Sequence, residues 1–217
     1  MEPRKIKYIL LGYKNRTKQI SANRALRQKQ KDESLLKVPP TEEERNVLHK
    51  LFLKTVDQSS HTFKRRVLPP GHVWMEDCKL KNAILCFPEK QNLYNKVFGG
   101  FLMRKAFEAA WANAAVFSQS LPTIIAVDDI MFRQSVDIGS LLFLASEVCY
   151  TNDKHIQVRV HAAVLGMQTG SHVTTNTFHF TFVARNAVPV VMPKTYGDGI
   201  LYLDEKRHYE EANRLQT

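Results

Sequence analysis

The alternation of apolar and polar side chains is clearest between residues 172 and 183. Phe178, Phe180 and Phe182 fall on one face of an extended chain there, and threonine and histidine side chains fall on the other. This period-two pattern predicts a β-strand with one face on a core and the other toward water or a partner. Stretches rich in β-branched and aromatic residues predict further strands at 83–87, 123–132, 141–150 and 155–165.

Turn-forming residues separate the last four of these strands, at 137–140, 151–154 and 166–171. Connections this short join antiparallel neighbours, because a parallel crossover needs about a dozen residues or more. The pattern therefore predicts an antiparallel sheet of about five to six strands.

A long apolar run follows the glycine pair Gly99-Gly100. The stretch 101–117 contains no Gly or Pro and is apolar on nearly every face, which predicts a helix buried on most sides. The run includes Arg104, Lys105 and Glu108 and is shorter than the roughly 20 apolar residues that a membrane span needs. One long central helix with an antiparallel sheet makes an α+β domain, and no membrane span is expected.

The positive charge of the chain is concentrated at its front. The 217 residues carry a formal net charge of +10, and residues 1–38 contain eleven Lys or Arg against three Asp or Glu. Such a segment suits an acidic partner such as nucleic acid, but a block of like charge is more often a solvated linker. No base-reading motif accompanies it, so we expect no nucleic-acid partner. A capping-box pattern at residues 41–44 then predicts a short amphipathic helix over 41–58.

The cysteines and histidines form no catalytic or metal-binding pattern. Three cysteines in no CxxC spacing argue against a disulfide framework, and Cys149 is most simply a small buried hydrophobe. Eight histidines show no HxxxH or HExxH spacing, so no metal is expected. Asp128 and Asp129 cannot act together on a substrate, because neighbours in a strand point to opposite faces. No dinucleotide or phosphate-loop fingerprint is present, and no cofactor is expected.

Several motifs together resemble the hotdog-fold acyl-coenzyme A thioesterases, and in particular their mitochondrial members. They are Asn92, Val97-Phe98-Gly99-Gly100 with its helix, Val127-Asp128-Asp129-Ile130-Met131-Phe132 and Val136-Asp137-Ile138-Gly139. The resemblance runs from about residue 30 to about residue 210. It implies a hotdog fold, hydrolysis of fatty acyl-coenzyme A, a mitochondrial location and an oligomer in which two hotdog units build the site. We expect a basic linker with a short helix at 1–71, a hotdog domain at 72–195 and a C-terminal tail at 196–217.

The resemblance also implies roles for individual residues. The side-chain amide of Asn92 positions the attacking water or the thioester, and backbone N–H groups of Gly100 and Phe101 polarise the thioester carbonyl. Phe98 and Gly99 are expected to contact substrate. Arg104, Lys105 and Arg133 are candidates for holding coenzyme phosphates, although solubility of the surface is the simpler role for each.

Two positions depart from the family pattern. Relatives often have His or Asp two residues before the asparagine, where this chain has Lys90. Many relatives also place an acid seven residues after the second glycine, where this chain has Phe107. Glu108 is displaced by about 100° around the helix, so we do not expect it to act as the base.

The missing acid leads to the expectation of a half-site. The isolated chain is predicted to hydrolyse acyl-coenzyme A weakly or not at all, and to need a carboxylate from a second hotdog unit. The alternative is a non-catalytic module for acyl-coenzyme A binding or dimerisation. Residues after about 31 resemble the linker between two fused units, and two origins stay open for the chain: a shortened product and one half of a split gene.

Overall fold

The computed structural model describes residues 34–57, 63, 65–128, 134–166 and 170–214. The helices and strands, in chain order, are α1 (Glu42–Thr55), β1 (His72–Trp74), β2 (Lys79–Leu85), α2 (Gly99–Ser118), β3 (Thr123–Asp128), β4 (Leu141–Asn152), β5 (His155–Leu165), β6 (His172–Val183), β7 (Val190–Met192) and α3 (Tyr196–Arg214). The predicted helix and the predicted strands are all present, with bounds that shift by a few residues. The end of the predicted strand 123–132 lies outside the described residues.

The chain divides into two compact units, residues 1–42 and 43–217. In the described part of the first unit, the backbone N–H groups of Lys37 and Val38 donate to the Ser34 carbonyl at 2.8 and 3.0 Å and close a turn. The second unit begins well before the predicted domain start at residue 72. It includes α1, because Arg207 of α3 forms a bidentate ion pair with Glu44 of α1 at 2.6 and 2.8 Å.

Five strands form one antiparallel sheet in the order β2-β4-β5-β6-β3. The register pairs Phe180 of β6 with Val158 of β5 on one side and with Val127 of β3 on the other. A tight turn at Asp153, whose φ is 52°, joins β4 to β5. β1 and β7 form a separate two-stranded parallel sheet. The antiparallel sheet that the period-two pattern predicts is therefore present.

The central helix α2 packs on one face of this sheet. Its buried positions are mostly alanines, with Leu102 and Asn113 among them, and small side chains allow a helix backbone to lie close to the strands. The buried Asn113 amide donates to the Cys78 carbonyl at 3.1 Å and to the Ser146 hydroxyl at 3.2 Å. These bonds satisfy the one polar group that α2 buries and fix its position along β4.

Residues 196–214, which the sequence analysis places in a C-terminal tail, form the helix α3. This helix covers the other face of the sheet and contacts β4, β5 and β6. Leu203 is only 1% exposed, and the rings of Tyr202 and Tyr209 pack on Tyr150 of β4 with centroids 5.2 and 5.3 Å apart. The packing of α3 on the sheet is hard to recognise in the sequence, because the apolar residues of this segment are spaced about one helical turn apart and its ends carry charged residues.

A buried charged cluster lies under α3. Glu205 is fully buried, and its Oε1 lies 2.7 Å from Nδ1 of His179 on β6, whose ring stacks on His208 of α3. Burial raises the pKa of Glu205, but the charges of His179, His208 and Arg159 and the His179 hydrogen bond lower it, and the net shift is downward. The interactions with neighbouring groups therefore outweigh burial and favour the ionised form of Glu205.

No helix in the described ranges is long and apolar enough to cross a bilayer.

The burial of α3 predicts a large effect of truncating its inner face. Leu203→Ala should lower the free energy of unfolding by about 2–5 kcal/mol, because it leaves a cavity beneath the helix. Tyr196→Ala is the matched control, since Tyr196 is 72% exposed, and should change the value by no more than about 0.5 kcal/mol. Urea unfolding of both variants measures this, and equal effects would mean that α3 does not pack as described.

The lowered pKa of Glu205 predicts a pH dependence of stability. A carboxyl group with a lower pKa in the folded state contributes stability above its unfolded-state value near 4.5, and this contribution is lost as pH falls through the folded pKa. Glu205→Gln should therefore be less stable than the wild type at neutral pH, and the difference should shrink below about pH 4.5. Glu211→Gln, at an exposed position of the same helix, should keep the wild-type profile. A difference that does not vary with pH would contradict the assignment.

Candidate active site

A cavity of about 410 Å³ opens at the N-terminal end of α2. Its wall comes from the loop before the helix, from the first turn of the helix and from the segment 134–136. The lining residues are Asn92, Tyr94, Lys96, Val97, Gly99, Leu102, Gln134, Ser135 and Val136. Two residues that the sequence singles out, Asn92 and Gly99, thus share one cavity.

The side chain of Asn92 organises the loop that precedes α2. Its Oδ1 accepts the backbone N–H of Tyr94 at 2.8 Å and that of Lys96 at 3.2 Å. The Asn92 N–H donates to the Lys96 carbonyl at 2.7 Å, and Asn95 adopts a positive φ of 56° within the turn. The side-chain oxygen is therefore fully used by the loop. The Nδ2 donors have no acceptor within the described ranges, and they are the part of Asn92 that can act on a ligand.

The first turn of α2 carries backbone donors next to the same cavity, which Gly99 lines. Phe98 is the N-cap residue of α2, and no side-chain capping hydrogen bond is formed with the backbone N–H groups of the first turn. Among the described residues, no acceptor lies on the N–H groups of Gly99 and Gly100. The Phe101 N–H, by contrast, donates to the Phe98 carbonyl at 3.0 Å. The Phe101 N–H is thus already paired within the chain, whereas the N–H groups of Gly99 and Gly100 are open to a ligand, and the role of Phe101 stays a prediction.

The ring of Phe98 packs closely on the backbone of Gly100, so a side chain at position 100 would displace the ring. A Cβ atom on Gly100 would lie 2.4 Å from Cε1 of Phe98, a distance that no real contact shows. The ring of Phe98 thus rests directly on the backbone of the helix start and is otherwise exposed. Phe98 does not line the cavity beside Asn92, so its predicted contact with substrate stays a prediction.

Lys96 is a site residue that the sequence analysis missed. It lines the cavity, its Nζ pairs with Asp137, and the neighbouring Val97 N–H donates to the Val136 carbonyl at 2.9 Å. These contacts tie the loop to the segment 134–137 across forty residues of sequence. The sequence places Lys96 between Asn92 and the glycine pair, but only the fold shows that Lys96 lines the cavity.

Phe107, at the position where relatives often have an acid, faces the sheet. Its ring lies 6.1 Å from that of Phe180 and 6.2 Å from that of Phe182. It does not line the cavity that contains Asn92. Within one chain, the helix position of the expected acid and the expected asparagine are therefore not brought together.

Glu108 is held in an ion-pair cluster on the outside of α2. Its carboxylate accepts from Lys105 Nζ at 2.7 Å and from Arg104 Nε at 2.9 Å. Hydrogen bonds from Lys105 and Arg104 lower the pKa of Glu108. A general base that works near neutral pH needs a raised carboxyl pKa, so the geometry agrees with the view that Glu108 does not replace the missing acid.

Two of the three candidates for phosphate binding, Arg104 and Lys105, do not line the cavity. Arg104 and Lys105 are both paired with Glu108, and Lys105 also lies 6.0 Å from the ring centre of Phe101. Arg133 lies outside the described residues. A role for any of the three in binding a coenzyme stays a prediction. In the described part of the chain no group of three or more His, Cys, Asp or Glu side chains is placed to hold a metal ion.

Comparison with known proteins agrees with this geometry. Over 184 residues the chain is 53% identical to mitochondrial acyl-coenzyme A thioesterase 9 of Mus musculus and 52% identical to that of Homo sapiens. These matches cover 85% of this chain and 42% of each relative, so the chain spans less than half the length of the curated relatives it matches. No protein-family model matches the chain.

Solved structures with the same arrangement of strands and helix are also thioesterases by name. An acyl-CoA hydrolase of Staphylococcus aureus, solved with butyryl coenzyme A, coenzyme A and coenzyme A disulfide, superposes with a TM-score of 0.62 at 22% identity. An apo-hexameric acyl-CoA thioesterase gives 0.63 at 23% identity. Each match covers 67% of this chain, with 93% and 97% of the other chain. The chain therefore has the hotdog fold of these hydrolases and is similar in sequence to part of the mitochondrial acyl-coenzyme A thioesterases. The fold predicted from the sequence is confirmed.

The bonds of Asn92 predict that two substitutions there differ in their effect on folding. Asn92→Ala removes the acceptor of two backbone N–H groups and should lower the free energy of unfolding by about 0.5–2 kcal/mol. Asn92→Asp keeps both acceptor positions and should cost less than about 0.5 kcal/mol. Urea unfolding of the two variants tests this, and an Asn92→Asp variant as unstable as Asn92→Ala would show that the loop does not depend on Oδ1.

Proposed function

We propose that this chain hydrolyses fatty acyl-coenzyme A thioesters as one half of a site that two hotdog units complete, in the mitochondrion. The observation that supports this most directly is the shared cavity, which both Asn92 and Gly99 line at the start of α2. The mitochondrial thioesterases to which the chain is similar support both the reaction class and the location.

The helix start and Asn92 would supply the electrostatic part of the reaction. Water attacks the thioester carbonyl, the carbonyl oxygen takes up negative charge, and the coenzyme leaves as a thiolate that takes up a proton. Backbone donors of Gly99 and Gly100 at the positive end of α2 stabilise that oxyanion. The Nδ2 group of Asn92 can donate to the same oxygen or orient the thioester. A side-chain amide is too weak a base to deprotonate water, and its Oδ1 already accepts two N–H groups of the loop.

The base must therefore come from elsewhere. Phe107 has no titratable group, and Glu108 is ionised and paired with two cations. We propose that a second hotdog unit donates a carboxylate to the Asn92 cavity. The water then loses its proton to that carboxylate as it attacks.

Two features of the surface support a second unit. Leu93 and Tyr94, at the tip of the Asn92 loop, are 99% and 83% exposed, which is unusual for large apolar side chains beside a polar site. The strand β3 lies at an edge of the five-stranded sheet, next to β6. An edge strand and an exposed apolar loop are surfaces on which another unit can pack.

The packing of the Phe107 ring favours a second candidate function, in which the chain is a non-catalytic module for acyl-coenzyme A binding or dimerisation. A phenylalanine packed against Phe180 and Phe182 adds apolar wall where an acid would stand. In that case the chain would bind a non-hydrolysable acyl-coenzyme A analogue without turnover, whether or not a second unit is present.

Release of free coenzyme A from acyl-coenzyme A tests the proposal. The purified chain alone should show little or no turnover, and co-purification with the unmatched portion of mouse thioesterase 9 should restore it. In that pair, Asn92→Asp should lower kcat by about 100-fold or more, because it removes a donor to the oxyanion while the loop stays folded. Lys90→Gln, outside the cavity, is the control and should keep full activity. Robust turnover by the chain alone that Asn92→Asp leaves unchanged would overturn the half-site.

A further inference from the structure

A second cavity, of about 460 Å³, lies between α1 and the beginning of α3. It shares no lining residue with the cavity beside Asn92. Its volume is within the range of about 300–1,000 Å³ that is typical of small-molecule sites. The lining residues are Arg45, Leu48, His49, Phe52, Arg66, Pro193, Lys194, Thr195, Tyr196 and Gly199.

The walls of this cavity are held by specific contacts. Asp198 Oδ2 accepts the backbone N–H groups of Lys194 and Thr195 at 3.1 and 2.9 Å, and Thr195 Oγ1 accepts the Asp198 N–H at 3.1 Å. At Gly199 an added Cβ would lie 3.1 Å from Leu48, so α1 and α3 are already close at the cavity floor. The space is therefore bounded by a capped helix end and by a helix–helix contact, and its shape is set before any ligand binds.

Arg66 places a positive charge beside the apolar part of this wall, which Leu48, Phe52 and Pro193 form. Its guanidinium lies 5.1 Å from the ring centre of Phe52 and 5.0 Å from that of Trp74. Nε donates to Thr55 Oγ1 at 2.8 Å, Nη2 to the Pro193 carbonyl at 3.0 Å, and Nη1 to the Lys194 carbonyl. All three acceptors are uncharged. Burial lowers the pKa of Arg66, and the charge of Asp198 opposes that effect.

The guanidinium has donors left for a ligand. It carries five N–H groups, of which three are used by the contacts above, and the remaining two meet no acceptor within the described ranges. Further positive charge lies at the rim, from the exposed Arg45 and from Lys194, whose Nζ pairs with Glu76. In the described part of the chain no carboxylate forms an ion pair with Arg45 or with Arg66. The cavity thus combines apolar walls with an excess of positive charge.

We infer that this cavity binds a monocarboxylate with an apolar body, such as a medium-chain fatty acid. The carboxylate would take the two remaining N–H groups of Arg66, a pairing to which the planar guanidinium is suited. The alkyl chain would lie against Leu48, Phe52 and Pro193. This inference does not depend on hydrolysis at the Asn92 cavity, but its ligand belongs to the chemical class that the proposed reaction would release.

Decanoate, kept below its micelle concentration, is the probe for this site. Titration calorimetry on the full chain should show saturable one-to-one binding, and 1-decanol, which has the same apolar body without the charge, should bind at least about tenfold more weakly. Fluorescence of Trp74, read in a Trp111→Phe background, should change with the same affinity, because Trp74 stacks on Arg66.

Variants locate the binding. Arg66→Gln should weaken decanoate at least about tenfold. Because Arg66 also holds α1 and the start of α3 together, His49→Trp is the second variant: it changes an exposed rim residue and should block the cavity without removing a structural bond. Lys50→Gln, exposed on α1 but not part of the lining, is the matched control and should bind like the wild type.

The outcomes separate this site from the Asn92 cavity. Loss of binding in Arg66→Gln and His49→Trp, with Lys50→Gln unchanged, supports the inference even if the chain proves to have no hydrolase activity. The inference is overturned if decanoate does not bind, if 1-decanol binds as tightly, or if binding persists unchanged in His49→Trp. The last result would place the fatty acid elsewhere, for instance beside Asn92.

Discussion

Close packing of α2 on the five-stranded sheet is the contact on which the rest of this structure depends. Ala106, Ala110 and Ala114 of α2 are fully buried. Because these side chains are small, the helix axis can lie close to the strands. The side-chain amide of Asn113 then donates hydrogen bonds to the Cys78 carbonyl and the Ser146 hydroxyl, which holds α2 against sliding along the sheet. Because α2 cannot shift, its N-terminal turn is presented at a fixed place at the end of the sheet. That turn supplies the donors of the candidate site.

The candidate site consists mainly of backbone N–H groups and the side-chain amide of Asn92. The Oδ1 atom of Asn92 accepts hydrogen bonds from the loop, and its Nδ2 group is left for a ligand. The backbone N–H groups of Gly99 and Gly100 have no acceptor among the described residues. Such an arrangement stabilises developing negative charge but cannot remove a proton. Phe107 packs against the sheet and Glu108 is held by Arg104 and Lys105, so neither offers a base to the cavity, and we propose that a second unit supplies one.

The second face of the sheet is organised by charge as well as by apolar burial. Glu205 is fully buried beside His179, with His208 and Arg159 near enough to lower its pKa. Breaking such a cluster by removing one member leaves an uncompensated buried charge, which is costly. α3 is therefore bound to the sheet in a defined register, and the start of the same helix forms a wall of the cavity that contains Arg66. The helix thus links the back of the sheet to a possible ligand site.

The sequence alone determined the class of fold and the main elements, because period-two alternation in β6 and the unbroken apolar run of α2 depend on local pattern. It also located Asn92 and the glycine pair, through their resemblance to a family motif. Only the tertiary structure decided that residues 196–214 form a helix on the sheet, since their burial comes from contacts with β4 to β6 that are distant in sequence. It likewise decided that the Phe101 N–H is already paired and that Lys96 lines the cavity. Hydrogen-bond pairing and cavity walls are made by residues far apart in the chain, so no local pattern contains them.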